Sequence, residues 1–304
     1  MGTSVAEILA RSFHWGELKA FELRCLAEED VTVLQPVASI EQHGPALPVK
    51  VDELLCDEVC RRAAAKVVAA GGSVVVAPCL YVGLAEHHLP FGGTLTLDVP
   101  TYKAVLKNLC GSMVRQGFNR VLLLNGHGGN DSALKNISQE LTTELDACIA
   151  FASYWTIPSV AVGFGEILTA QPSVLHAGEG ESSMMLALRP DLCDQEALNT
   201  LECPPNEHGM MDVRGVYRWQ SFADYTPTGC LGVPSAATAE KGEKMFEVAA
   251  DGVAEALLAP DEEWATGTRY YSSRLPGSGP GGGEKQRWLA FDKAMFPSLY
   301  RSKL

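Results

Sequence analysis

The sequence contains no run of eighteen apolar residues, and its first segment, Met1 to Phe13, mixes charges with its apolar positions, so neither a membrane span nor a secretory signal is expected. It also lacks a Lys/Arg cluster. With a formal net charge of −13, no surface suited to releasing phosphate counterions is expected, which argues against nucleic acid and for a small-molecule partner. There is no CxxC pair among the nine cysteines, and their odd number fits reduced structural thiols in an intracellular protein. No internal repeat is visible. What remains is an ordinary globular composition, 46% hydrophobic, long enough at 304 residues to bury a sizeable core.

Apolar runs at Val31 to Val37, Val74 to Ala77, Arg120 to Leu124 and Ala147 to Ala152 predict buried strands. Between them, Glu53 to Ala70, Thr101 to Gln116 and Asp131 to Leu145 carry helical spacing, and further helices are expected over Glu181 to Leu188 and Thr238 to Leu258. This alternation predicts an α/β fold with a mainly parallel sheet covered by helices on both faces. The Gly/Pro/Ser stretch from Pro276 to Gly283 reads as a linker, dividing a domain over 1–271 from a tail over 272–304.

Ligands of parallel sheets collect at the carboxyl ends of the strands, and the polar clusters of this chain fall there. Ser39 to Asp52 places Glu41, His43 and Asp52 around a Pro-braced turn after the first strand, a donor set suited to zinc, manganese or iron. After the third strand comes Asn125-Gly-His-Gly-Gly-Asn130, whose glycines allow close backbone approach and whose Asn130 can cap the next helix. His176-Ala-Gly-Glu179-Gly-Glu181 opens a later helix. For Glu181 a capping role competes evenly with a functional one; for His176 and Glu179 function is favoured. His87 and His88 lie beside an apolar turn, where solvated histidines are expected, with one of them, His88, a candidate to line a pocket.

In four of these stretches, Glu41-Gln-His-Gly-Pro with Asp52, Asn125-Gly-His-Gly-Gly-Asn130, His176-Ala-Gly-Glu179 and Gly232-Val-Pro-Ser-Ala-Ala-Thr-Ala-Glu-Lys-Gly242, the sequence resembles the creatininase (creatinine amidohydrolase) family. The resemblance implies a three-layer α/β/α sandwich holding two divalent metal ions, with Glu41, Asp52 and His127 on one, His43 on the other, and Asp52 bridging. It further implies a catalytic His176, substrate contacts at Gly128, His88 and Trp155, and a homo-oligomer, commonly a hexamer. Creatininase has a metal-binding glutamate where this chain has Gly129, and Glu179 is the expected replacement. A tryptophan and a glutamate ahead of the catalytic histidine are here Pro172 and Leu175, which points to a substrate other than creatinine. The expected activity is hydrolysis of a small cyclic amide or a formamide, with deformylation, precursor-peptide cleavage or non-catalytic binding as alternatives. The terminal Ser302-Lys303-Leu304 matches the peroxisomal import tripeptide and predicts a peroxisomal or glycosomal location, read by the import receptor; without it the expected location is cytoplasmic.

Overall fold

The computed structural model describes residues 4–201, 203, 212–213 and 216–260. The boundary at 271/272, the linker and the terminal tripeptide lie outside the described residues. Two helices, α1 (Val5–Arg11) and α2 (Ala20–Glu28), precede the alternating part. That part runs β1 (Thr32–Val37), α3 (Val51–Ala69), β2 (Val74–Val76), α4 (Val99–Arg115), β3 (Arg120–Asn125), α5 (Asp131–Leu145) and β4 (Cys148–Ser153). Then follow α6 (Pro158–Ile167), α7 (Glu179–Leu188), α8 (Gln195–Thr200), a short antiparallel pair β5 (Asp212–Val213) and β6 (Val216–Tyr217), and α9 (Ala239–Leu257).

The first four strands form one parallel sheet in the order β2-β1-β3-β4. Side chains alternate across it, so each strand feeds two cores. Leu34, Val74, Val76, Leu122 and Leu124 point to one face and pack with Val59, Ala63, Phe164, Met184, Met245 and Phe246 from α3, α6, α7 and α9. Val33, Val75, Val121, Leu123 and Ile149 point to the other, against Ile8, Leu26, Leu106, Leu134 and Leu141 from α1, α2, α4 and α5. The result is the three-layer α/β/α sandwich. Burial on both faces explains why the strands are continuous apolar runs rather than alternating ones.

Pro36 lies inside a central strand, where a missing N–H usually costs a ladder bond. Here its carbonyl still accepts from Leu80 N, beyond the point where β2 ends. Because β2 stops at Val76, the segment beyond it is free to fold over the strand ends. It carries a 3-10 helix, Glu86–Phe91, and with it two histidines, to the carboxyl edge of the sheet.

Candidate metal centre

Four sheet-edge segments converge on one buried pocket. Glu41 and His43 follow β1; Asp52 lies in the first turn of α3, one helical residue earlier than the sequence predicts a helix; His127 follows β3; His176 precedes α7. Each of these five side chains is at most 8% exposed. Asn125 aims the His127 segment, accepting from His127 N at 3.1 Å and donating to His127 O at 2.7 Å. The close packing needs glycine at 126, where a Cβ would lie 2.5 Å from Cys56 Cβ and 2.9 Å from Asp52 O. That contact seats the start of α3 against the sheet and brings Asp52 to the edge.

Within the pocket, His127 Nδ1 is 3.1 Å from Glu41 Oε2 and 3.0 Å from Asp52 Oδ2, and His43 Nε2 is 3.2 Å from Asp52 Oδ1. Asp52 thus touches both histidines, one through each oxygen. His43 Nδ1 is 3.1 Å from Glu41 O, and His127 Nε2 is 3.1 Å from Leu84 O. Each imidazole therefore donates one N–H to a backbone carbonyl and turns its second nitrogen toward the carboxylates, the arrangement that orients a metal-ligating histidine. Glu41 Oε2, His43 Nε2 and Asp52 Oδ2 are buried, and although each lies at ion-pair distance from a neighbour, none makes a hydrogen bond of good geometry. Orphaned atoms of this kind are costly unless something compensates them, and a divalent cation among two carboxylates and two imidazoles does so. The residues present fit a metal.

Titration gives the same picture in protons. Burial would lower His43, but the Asp52 charge beside it pushes it up to about 9; His127 is likewise raised well above its ordinary value, by Glu41 and Asp52 against burial. Burial would raise Asp52, yet His43 and His127 hold it well below the usual carboxylate range, whereas Glu41 is raised, chiefly by burial. Protons on the imidazoles thus balance the carboxylates until a cation displaces them.

Glu179 does not belong to this group, which corrects the expectation that it replaces the missing family glutamate. Its carboxylate accepts from Thr169 N, Ala170 N and Thr169 Oγ1 and pairs with Lys241 Nζ at 2.6 Å. Those bonds outweigh burial and hold its pKa down. Two residues on, Glu181 faces the pocket instead: its Oε2 lies 3.6 Å from His43 Nε2 and accepts from Ala177 N at 2.6 Å. Burial, with a contribution from Asp52, pushes Glu181 up to about 7 although His43 opposes the rise. Among the described residues, the groups close enough to share a metal ion are Glu41 with His43 and Asp52, His43 with His176 and Glu181, Glu41 with His87 and His127, and Glu41 with His88 and His176. Gly129 has no room for a longer residue, since a Cβ there would come within 2.4 Å of His127 Nε2 and Leu84 O and within 2.8 Å of His87.

The other expected site residues divide. His176 Nδ1 stands 3.5 Å from Glu41 Oε1, its ring 4.3 Å from that of His43; burial and the neighbouring His43 charge keep it neutral. His87 and His88 are both buried, not solvated: the loop carrying them folds inward over the strand ends. Burial lowers both, His87 to about 4. Gly128 is exposed with open space before it. Trp155 packs edge-on against Tyr154 and against the core, and it is Tyr154 whose hydroxyl, raised mainly by burial, also feels Glu181 and Asp52. Asn130 does not cap α5. Its amide joins Leu84 N, Ala38 O and Asn125 Oδ1, tying three strand-end loops together. No motif points to Phe222, whose ring lies 4.3 Å from His88 and 4.7 Å from His176 and closes the apolar side of the pocket.

The family model described as creatininase, creatinine amidohydrolase, matches residues 16–257. The creatinine amidohydrolase of Pseudomonas putida is 30% identical over 82% of this chain and 97% of its own length. A mycofactocin precursor peptide peptidase of Mycolicibacterium smegmatis is 30% identical over 74% of this chain and 83% of its own. A solved structure described as creatininase with Mn superposes with a TM-score of 0.69 at 29% identity, covering 83% of this chain and 99% of that one.

Proposed function

Because the chain belongs to the creatininase family, we propose that it is a metal-dependent amidohydrolase acting on a cyclic amide or formamide C–N bond in a small molecule. The observation that carries the reading is the convergence of three orphaned ligand atoms, Glu41 Oε2, His43 Nε2 and Asp52 Oδ2, in one buried pocket. Glu41, Asp52 and His127 would hold one divalent ion and His43, Asp52 and Glu181 a second, with Asp52 shared, since these side chains lie within 3.0–3.6 Å of one another through His127 and His43; zinc, manganese and iron all suit this donor set. When bound, such ions polarise a carbonyl and lower the pKa of water toward neutrality.

The protein's own part is orientation and proton transfer. An amide nitrogen leaves poorly unless protonated, so a group able to take up and release a proton must stand beside it. His176 is that group: it is neutral, its Nε2 is held 2.8 Å from Gln42 O, and its Nδ1 faces the carboxylates. Phe222 and the Gly128 turn bound the space left for substrate. His176→Ala should retain its metal and lose at least about a hundredfold in turnover, in line with removal of a general acid/base.

The test is reconstitution with zinc, manganese or iron, metal analysis, and a panel of cyclic amides and formamides. About two ions per chain with turnover supports the reading; one or none, with no turnover, favours a binding protein. Cleavage of peptides but not of the small amides would place the chain with the precursor peptidases it resembles. A homo-oligomer belongs to the same reading and is checked by light scattering.

A further inference from the structure

Gln42 lies between the candidate ligands Glu41 and His43, buried, and its side chain reaches two pocket histidines, His88 and His176. Its Oε1 accepts from Gly44 N at 2.9 Å and its Nε2 donates to Gly229 O at 3.0 Å. Two backbone groups thus fix which end of the amide is oxygen and which is nitrogen. Gly229, at a φ of +82°, leaves no alternative: a Cβ there would lie 2.0 Å from Gln42 Oε1.

The second hydrogen on Nε2 is directed at the histidines. His88 Nδ1 is 2.7 Å from Gln42 Nε2, so Nδ1 must accept and the ring's hydrogen must sit on Nε2. His176 is the opposite case. Its Nε2 is 2.8 Å from the backbone carbonyl of Gln42, an acceptor, so Nε2 carries the hydrogen and Nδ1 is bare; the 3.1 Å approach of Gln42 Nε2 to the same atom then sets two N–H groups side by side without a bond. With this assignment every acceptor around Gln42 meets an N–H.

We propose that Gln42 is a positioning residue that sorts the pocket's histidines, leaving a lone pair on His176 for proton transfer and holding His88 as a neutral N–H donor toward Glu41, not as a metal ligand. His88 Nε2 faces Glu41 Oε1 at 3.4 Å, while the other oxygen, Oε2, faces His127 and has no hydrogen-bond partner. The two oxygens of Glu41 are thereby given different work: one is kept by the protein and one is left for a cation. The inference deepens the metal-hydrolase reading and rests on it for the ligands, but its readout is a tautomer, observed without turnover, so a wrong substrate class and a wrong tautomer fail separately.

The experiment is a long-range proton–nitrogen correlation spectrum of full-length protein labelled with nitrogen-15 at histidine, with and without zinc, His88 being assigned by the signal lost in His88→Gln. An Nε2–H tautomer of His88 in both states, with a bare Nδ1 whose nitrogen resonance moves downfield in Gln42→Leu as it loses its donor, is the expected result. An Nδ1–H tautomer in the unaltered protein, an Nε2 resonance shifted by zinc coordination, or an Nδ1 resonance unmoved in Gln42→Leu overturns it. Should Gln42→Leu not fold, zinc affinity by chelator competition decides: His88→Leu should weaken it about 10–100-fold, as removal of an outer-shell partner does, and His88→Gln, which keeps an N–H donor, should recover most of the loss. Equal losses in both variants would make His88 a ligand and overturn the assignment.

Discussion

Glu179 and Glu181 stand two residues apart at the start of α7 and meet opposite surroundings. Successive helical residues turn by about 100°, so positions i and i+2 face nearly opposite ways; one carboxylate enters the Lys241 clamp and the other enters the pocket. Glu181→Gln should therefore lose about one metal equivalent per chain. Glu179→Gln should keep both ions and lose about 1–3 kcal/mol of stability, the cost of leaving buried donors poorly paired. Metal analysis and denaturant unfolding of the two variants separate these outcomes. Asp52→Ala, which removes the oxygens facing both His43 and His127, should empty both positions, and metal analysis again checks it. Spacing in the sequence identified an acidic pair beside His176 but could not tell which member turns inward, because that depends on where the helix starts. The helix begins at Glu179, two residues before the position that the pattern indicates.

At the scale of elements, α3 and α9 are tied along their exposed edge by charge. Glu58 accepts from Arg61 and Arg62, and Arg62 reaches across to Glu243 and Glu247 on α9. Burial would raise Glu58, but the two guanidinium groups hold its pKa below the ordinary value. A carboxylate depressed in the folded state contributes stability above its unfolded pKa and loses it as pH falls through the folded one. Glu58→Gln should thus cost about 1 kcal/mol at neutral pH, and the difference from the unaltered protein should close as thermal unfolding is repeated below about pH 4. The strands and the long helices α3, α4, α5 and α9 are legible in the sequence because burial on two faces, or along one stripe, leaves a long periodic record. The helices α1, α2, α6 and α8 are not. They have ten residues or fewer, and α6 carries Gly163 and Gly165 in a run of apolar residues that shows no clear stripe.

For the molecule as a whole, the pocket places three carboxylates and five imidazoles in a space that water barely reaches. A bound cation stabilises such a fold by mass action, by about 2.7 kcal/mol at a hundredfold excess over its dissociation constant. For a domain of this size that is a rise in Tm on the order of 5–10 °C. Dialysis against a chelator should lower Tm by that amount, and restored zinc or manganese should recover it in a calorimeter. Among the described residues no helix is long and apolar enough to cross a membrane.

The positions of the ligands along the chain carry a consequence for synthesis. Glu41, His43, Asp52 and His127 are made early, whereas His176 and Glu181 wait for α7, and Lys241, which clamps the start of α7, comes from α9. On the proposed reading, a growing polypeptide that has left the ribosome only as far as β4 already carries the whole first ligand set, Glu41, Asp52 and His127, but neither Glu181 nor the proton carrier His176. The first set would therefore be complete before the second, and the proton carrier would join only with α7.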